Sequence, residues 1–278
     1  MMLKTGSSGL ALLLTILSLL AFAFMAFMGL EYLLEGNHLV AVLICLGGML
    51  LLGLCIRMAC WGKETRKKKQ GYAIEILSLL AAGVILYFGR MPFSQFVYVV
   101  NHEQDINNLV VEARDRACKI DTAYDEYAHK RLAAYERYLK KTVKDSQHTV
   151  SMKVRSLERR LLPEDMTEVQ DERKDWLDQL QNVNVWNIAT AKNLCYLISA
   201  SDDWVKQYAD VSDFMYEGEK CEPFVMQGDD IKDRYKEFTT PRTPDRLSNI
   251  AMAVCCLLIL TFYIVSLRSK SRYKGRRA

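Results

Sequence analysis

Cysteines, histidines and paired acids are the residues of this 278-residue chain that could bind a metal or act as nucleophiles. Their spacing argues against both. The eight cysteines include no C-x-x-C pair, the spacing at which two thiolates share a metal or a redox disulfide. Cys45, Cys55, Cys255 and Cys256 lie in apolar runs, where cysteine packs as a small hydrophobe, and Cys60 lies at the edge of one, where it could be acylated. Cys118, Cys195 and Cys221 lie in the charged middle of the chain. Three is odd, so they allow one internal disulfide, and spacing does not choose the pair. His38, His102, His129 and His148 lack a second ligand at useful spacing, and H-E-x-x-H is absent. Asp202-Asp203 and Asp229-Asp230 lack the glycine and terminal glutamate of a calcium loop. Nucleotide-binding, nucleophile-elbow and kinase signatures are also missing. The expectation is therefore a non-enzyme with no catalytic, metal or cofactor site.

Two sets of residues remain as candidates. Tyr124, Tyr127, Tyr138 and Trp176 are aromatics at helical spacing that could line a groove for a ligand or partner, although the same spacing describes a core. Arg57 and Glu75 flank apolar runs, where they would snorkel or form a mutual ion pair at the membrane edge.

The elements that position these residues follow from apolar runs at the chain ends. Segments 8–34, 38–61, 71–90 and 249–267 are each long enough to cross a hydrocarbon core of about 30 Å as a helix. Ala21-Phe22-Ala23 would suit a signal-peptide cleavage site, but the apolar run continues past it, which favours an uncleaved anchor. The 57–70 stretch carries six basic residues against one acid, and the 268–278 tail carries six basic residues and no acid. The short link between the first two runs carries Glu31 and Glu35 and no lysine or arginine. By the positive-inside bias, both termini and the basic 62–70 loop face the cytoplasm, and the large 91–248 segment faces outward. Ser78 and Ala82, with Gly47 and Gly48, offer small surfaces for close packing between spans.

Residues 91–248 hold 23 basic and 29 acidic residues, a net of −6. Between Val97 and Glu217 there is no glycine and one proline, Pro163, which excludes the frequent turns of a β domain. Ile106, Val110, Ala113, Ala117, Ile120 and Tyr124 keep three-and-four spacing, predicting one helix from Phe96 to about Asp145 that grows out of the third span. Pro163 divides the region into arms of similar length, which suggests an up-and-back stalk. The fold class expected is all-α: four transmembrane helices plus an extended antiparallel helical domain, hairpin or four-helix bundle, between spans three and four.

No N-x-S/T sequon occurs, which points to a bacterial inner membrane. The layout is similar in outline to tetraspanins, but the large loop lacks their Cys-Cys-Gly motif and the first loop is far shorter, so no family follows. The functional expectation is a scaffold, accessory subunit or sensor. Its partners would be membrane lipid and a protein partner or second copy, and not nucleic acid. The alternative is a channel or transport component working as an oligomer.

Overall fold

The computed structural model describes residues 3–65, 68–142, 147–180, 184–216, 221–226 and 230–266. Among them every regular element is a helix: α1 (Leu3–Leu33), α2 (His38–Glu64), α3 (Lys68–Asn101), α4 (Glu103–Thr142), α5 (Gln147–Leu161), α6 (Met166–Gln179), α7 (Thr190–Ser212), α8 (Ile231–Thr239), α9 (Arg246–Ile259) and α10 (Thr261–Val265). They form two compact units. The first comprises residues 1–102 and 238–278, and the second residues 103–237. Residues 91–102 and 238–248, placed with the outer domain from sequence, thus count with the first unit.

In the first unit, Gly9–Leu33, His38–Glu64 and Lys69–Asn101 are long and apolar enough to cross a membrane. Most of their large apolar side chains face outward, such as Leu39, Leu43 and Leu50 on α2, because lipid rather than protein would solvate them. Phe22, Leu52, Ile56, Leu86, Phe93 and Ile259 form the core they share with α9. The α1–α2 turn depends on left-handed backbone at Glu35 and Gly36, where φ is 50° and 81°, and the Gly36 N–H returns to the Glu31 carbonyl at 2.8 Å. Asn37 then caps α2 by accepting from the Val40 N–H.

Small residues do set the helix spacing, but not all of those expected. Gly47 and Gly48 have open space around them. Gly48 instead lines an apolar cavity of about 390 Å³ among α1, α2 and α3. The close approaches are at Gly29, where a Cβ would lie 1.8 Å from the Pro92 carbonyl oxygen, and at Gly71, where it would lie 2.5 Å from the Gly62 carbonyl oxygen. Pro92 sits inside α3 without ending it.

The fourth apolar run does not form one helix. α9 stops at Ile259 and α10 resumes at Thr261, leaving Arg246–Ile259 as a shorter apolar helix. The Phe262 N–H donates to Thr15 Oγ1 at 3.0 Å, so α1 satisfies a donor at the break. Such a substitute is obligatory where no water reaches the backbone.

The second unit has four legs. α4 has 40 residues, about 60 Å at 1.5 Å per residue. It starts at Glu103, after an interruption at His102, so the predicted unbroken helix from Phe96 is two helices. α5 returns antiparallel along α4: Leu139 and Val150 share one cluster with Ala128 and Leu161, and Tyr124 donates to the Leu161 carbonyl. The first reversal therefore falls between Thr142 and Gln147, not at Pro163, and the two-arm stalk about Pro163 is corrected. An apolar stripe carries no mark of chain direction, so its periodicity does not show where the chain reverses. Pro163 only separates α5 from α6, which continues the same leg, with Arg173 against Asp121 and Gln170 against Asp125. α7 then runs parallel to α4, pairing Arg116 with Asp202, Asp121 with Tyr208 and Arg131 with Ser212. The fourth leg has no regular structure over 221–226, where Phe224 enters the core, and ends in α8 with Arg234 on Glu112.

Candidate functional site

The densest polar constellation in the second unit lies where α4, α6 and α7 meet. Tyr208 donates to Asp121 Oδ1 at 2.6 Å, and Arg173 reaches the same oxygen at 3.0 Å and the Tyr208 hydroxyl at 3.2 Å. Arg173 also donates to Gln207 Oε1, and Gln170 donates to Tyr208 and Asp125. The guanidinium lies over the rings of Trp204 and Tyr208, which disperses its charge against aromatic faces. Burial, and then the hydrogen bond to Asp121, push the Tyr208 hydroxyl well above the usual tyrosine range. It remains a donor at neutral pH. As a whole the cluster cross-braces three helices.

A second brace sits at the far end of α7. Arg131, 2% exposed, donates to the Ser212 carbonyl at 2.7 Å and to the Phe214 carbonyl, and touches the Tyr127 hydroxyl at 3.2 Å. A helix C-terminus presents unpaired carbonyls and partial negative charge, so a buried guanidinium satisfies both. Phe214 lies between Arg131 and Arg160, each over its ring. Spacing alone marks Arg131 only as a polar residue on the apolar face of α4, so nothing in the sequence singles it out.

The aromatic candidates separate. Tyr124 is fully buried, stacks on Tyr208 at 4.0 Å and donates to the Leu161 carbonyl, so it is core and lines no groove. Tyr127 touches Tyr124 and Phe224 and donates to the Glu222 carbonyl at 2.8 Å, with Cys221 Sγ 3.8 Å from its hydroxyl. Tyr138 flanks the α4–α5 cluster. Trp176 packs on Tyr196 and Trp204. Cys118, Cys195 and Cys221 form no disulfide, nor do the other five cysteines. Cys118 is exposed, whereas Cys60 is buried with its sulfur 3.8 Å from Ser266 Oγ. Among the described residues no group of three His, Cys, Asp or Glu could hold a metal ion.

In the first unit the two membrane-edge charges do not meet as a pair. Arg57 is exposed on α2. Glu75 is buried at 6% exposure and accepts from the Tyr263 hydroxyl at 2.6 Å. Among the described residues a cation of this cluster is Lys63, which lies over the Tyr263 ring and donates to the Tyr263 and Ser266 carbonyls that end α10. α2, α3 and α10 are thus tied together by groups distant in sequence.

At the α1–α2 end lies a pair that spacing did not single out. Glu31 is 1% exposed, its Oε2 lies 2.5 Å from His38 Nδ1, and Phe27 stacks on the imidazole. Glu31 Oε1 and the Tyr32 hydroxyl, both buried, have no hydrogen-bond partner among the described residues. Six residues, the end of α1 and the turn after it, lie between Glu31 and His38 in sequence, and the left-handed Glu35-Gly36 step brings the two together. No family model matches this chain, and no curated protein and no solved structure matches it.

Proposed function

We propose that the protein is a multi-pass protein of a bacterial inner (plasma) membrane that acts without catalysis, as a scaffold, accessory subunit or sensor for a protein partner or a second copy. Four apolar segments cross the membrane in this reading, the interrupted α9–α10 being the fourth. Both termini lie in the cytoplasm, and residues 103–237 lie in the periplasm. The observation that carries it is the bracing of the second unit. Arg173 and Arg131 join α4, α6, α7 and the residues after α7, so these legs present one preorganised surface for docking. Segregation of charge supports the orientation, because the basic 57–70 and 268–278 flanks contrast with the net −6 of 91–248.

The orientation is tested by alkaline phosphatase fusions: active after residue 160 and inactive after residue 66, with the reverse pattern overturning it. The scaffold role is tested by purification in mild detergent. A reproducible protein partner or a stable oligomer is expected, and a lone monomer would oppose it. One observation favours the channel alternative, since interrupted helices occur in transporters and the fourth apolar helix breaks at Leu260. Ion or solute flux in liposomes would establish that reading instead.

A further inference from the structure

The second unit is dense in charge, yet its sequence carries none between Asp178 and Lys192. The turn that leads into α7 lies in this stretch. The Asn184 side chain accepts from the Trp186 N–H at 3.0 Å, and the Asn187 side chain from the Ala189 N–H at 2.9 Å. The Thr190 hydroxyl donates to the Asn184 carbonyl, and Val185 is buried. With its backbone and Val185 so fixed, the turn holds Trp186 and Ile188 outward, 51% and 53% exposed. Single exposed apolar residues are ordinary, but two large ones held out together on a braced, charge-free turn mark an interaction surface.

Helix register fixes which end of the unit bears this turn. Arg116 of α4 pairs with Asp202 of α7 at 3.2 Å, thirteen positions after Glu103 and twelve after Thr190 respectively. The two helices run parallel, so Thr190 is level with the first turn of α4. Arg114 meets Asp178 at the end of the antiparallel α6, and Tyr235 of α8 donates to the Ala191 carbonyl at 3.1 Å. The turn therefore shares the end at which the chain enters the unit at Glu103 and leaves it at Glu237. Only His102 separates Glu103 from Asn101, the last residue of α3, a reach of at most about 7 Å. The 33 residues of Lys69–Asn101 are about 50 Å long as a helix, and a bilayer with its headgroups is about 40–45 Å thick. Measured from the basic Lys69 edge, α3 thus leaves the headgroups close to Asn101. We propose that the Trp186–Ile188 turn seats in the headgroup layer of the bilayer that α3 crosses, with Trp186 among the headgroups and Ile188 against the uppermost acyl carbons. Tryptophan favours that layer because its ring is apolar with one polar edge. The first charge after the turn is the exposed Lys192, which suits the lipid phosphates. The inference rests on the multi-pass reading above, and not on which side of the membrane the unit occupies.

The test uses the full chain in phosphatidylcholine vesicles, plain or brominated high on the acyl chain, because such bromine quenches only indoles that reach the bilayer. The chain has 4 tryptophans, so the Trp186 emission is read as the difference between wild type and Trp186→Phe. That difference should lose at least half its intensity in brominated vesicles and resist quenching by iodide in the surrounding water. Ile188→Asp charges the turn, and should move the Trp186 emission to longer wavelength and open it to iodide. A wild-type Trp186 emission that brominated lipid leaves unchanged and iodide quenches would overturn the assignment, and would leave the turn as a surface for protein. Trp61, exposed on α2, reports insertion of the apolar unit through the matching Trp61→Phe difference. Quenching of Trp61 by brominated lipid without quenching of Trp186 counts against this inference alone. Quenching of neither counts against the multi-pass reading on which it rests.

Discussion

Replacing Gly29 by alanine tests the packing of the first unit most directly. The new methyl would sit 1.8 Å from the Pro92 carbonyl oxygen, and ordinary contact begins at 3.4 Å. α1 and α3 must therefore separate locally by about 1.6 Å, and neither atom is the end of a flexible side chain that could turn away. A gap of that size removes more than half of the dispersion attraction across the contact, and overpacking of this kind costs about 1–3 kcal/mol. At Gly47 a methyl meets nothing within 4 Å, so alanine there gains helix propensity of up to about 1 kcal/mol. The two substitutions add the same atom to glycines of the same apolar unit, so their difference isolates the clash. In mixed micelles titrated with SDS and followed by near-ultraviolet circular dichroism, Gly29→Ala should unfold at a lower SDS fraction than the wild type. Gly47→Ala should unfold at an equal or higher fraction. Wild-type stability in Gly29→Ala, or equal destabilisation at both sites, would refute the packing described for α1 and α3.

Arg131→Ala should strand the Ser212 and Phe214 carbonyls and lower the stability of the second unit by about 3 kcal/mol, seen as faster hydrogen exchange confined first to the end of α7. The second unit should also weaken in alkali. Burial raises Tyr124, Tyr127 and Tyr208, so their stabilisation is complete below the unfolded tyrosine value of about 10 and is lost as pH rises through the folded values. Tyrosinate absorbance should appear together with loss of helicity, and ionisation of these residues in a still-folded chain would contradict it. His38→Ala removes the imidazole that lies against the buried Glu31 carboxyl and should lower the stability of the first unit. Adding Glu31→Gln should recover most of the loss in the same SDS titration, and no recovery would mean that the pair is not coupled. An exposed Cys118 and a buried Cys60 should differ sharply in maleimide labelling of the folded, detergent-solubilised protein.

Much of this architecture was legible in one dimension, because the information is local. Long apolar runs with few charges specify the membrane-length helices α1, α2 and α3, and a region of over 100 residues without glycine specifies helices between its turns. What spacing could not show is which groups meet. Lys63, Glu75 and Tyr263 are up to 200 positions apart, and only the packing of α2, α3 and α10 makes them one cluster. Arg57, nearer to Glu75 in sequence pattern, lies on the exposed face of α2 instead. Likewise Tyr124 carried the same helical spacing whether it lined a groove or a core, and its stacking on Tyr208 decided the matter.

The sequence by itself determined the all-helical class and the separation of apolar segments from the charged middle, since hydropathy and charge act through composition over a window. Tertiary structure alone decided the reversal between α4 and α5, the break at Leu260, the close contact at Gly29 and the pairing of Glu31 with His38. Each of those depends on a partner distant along the chain or on a single left-handed step. Neither leaves a periodic trace in the residues that flank it.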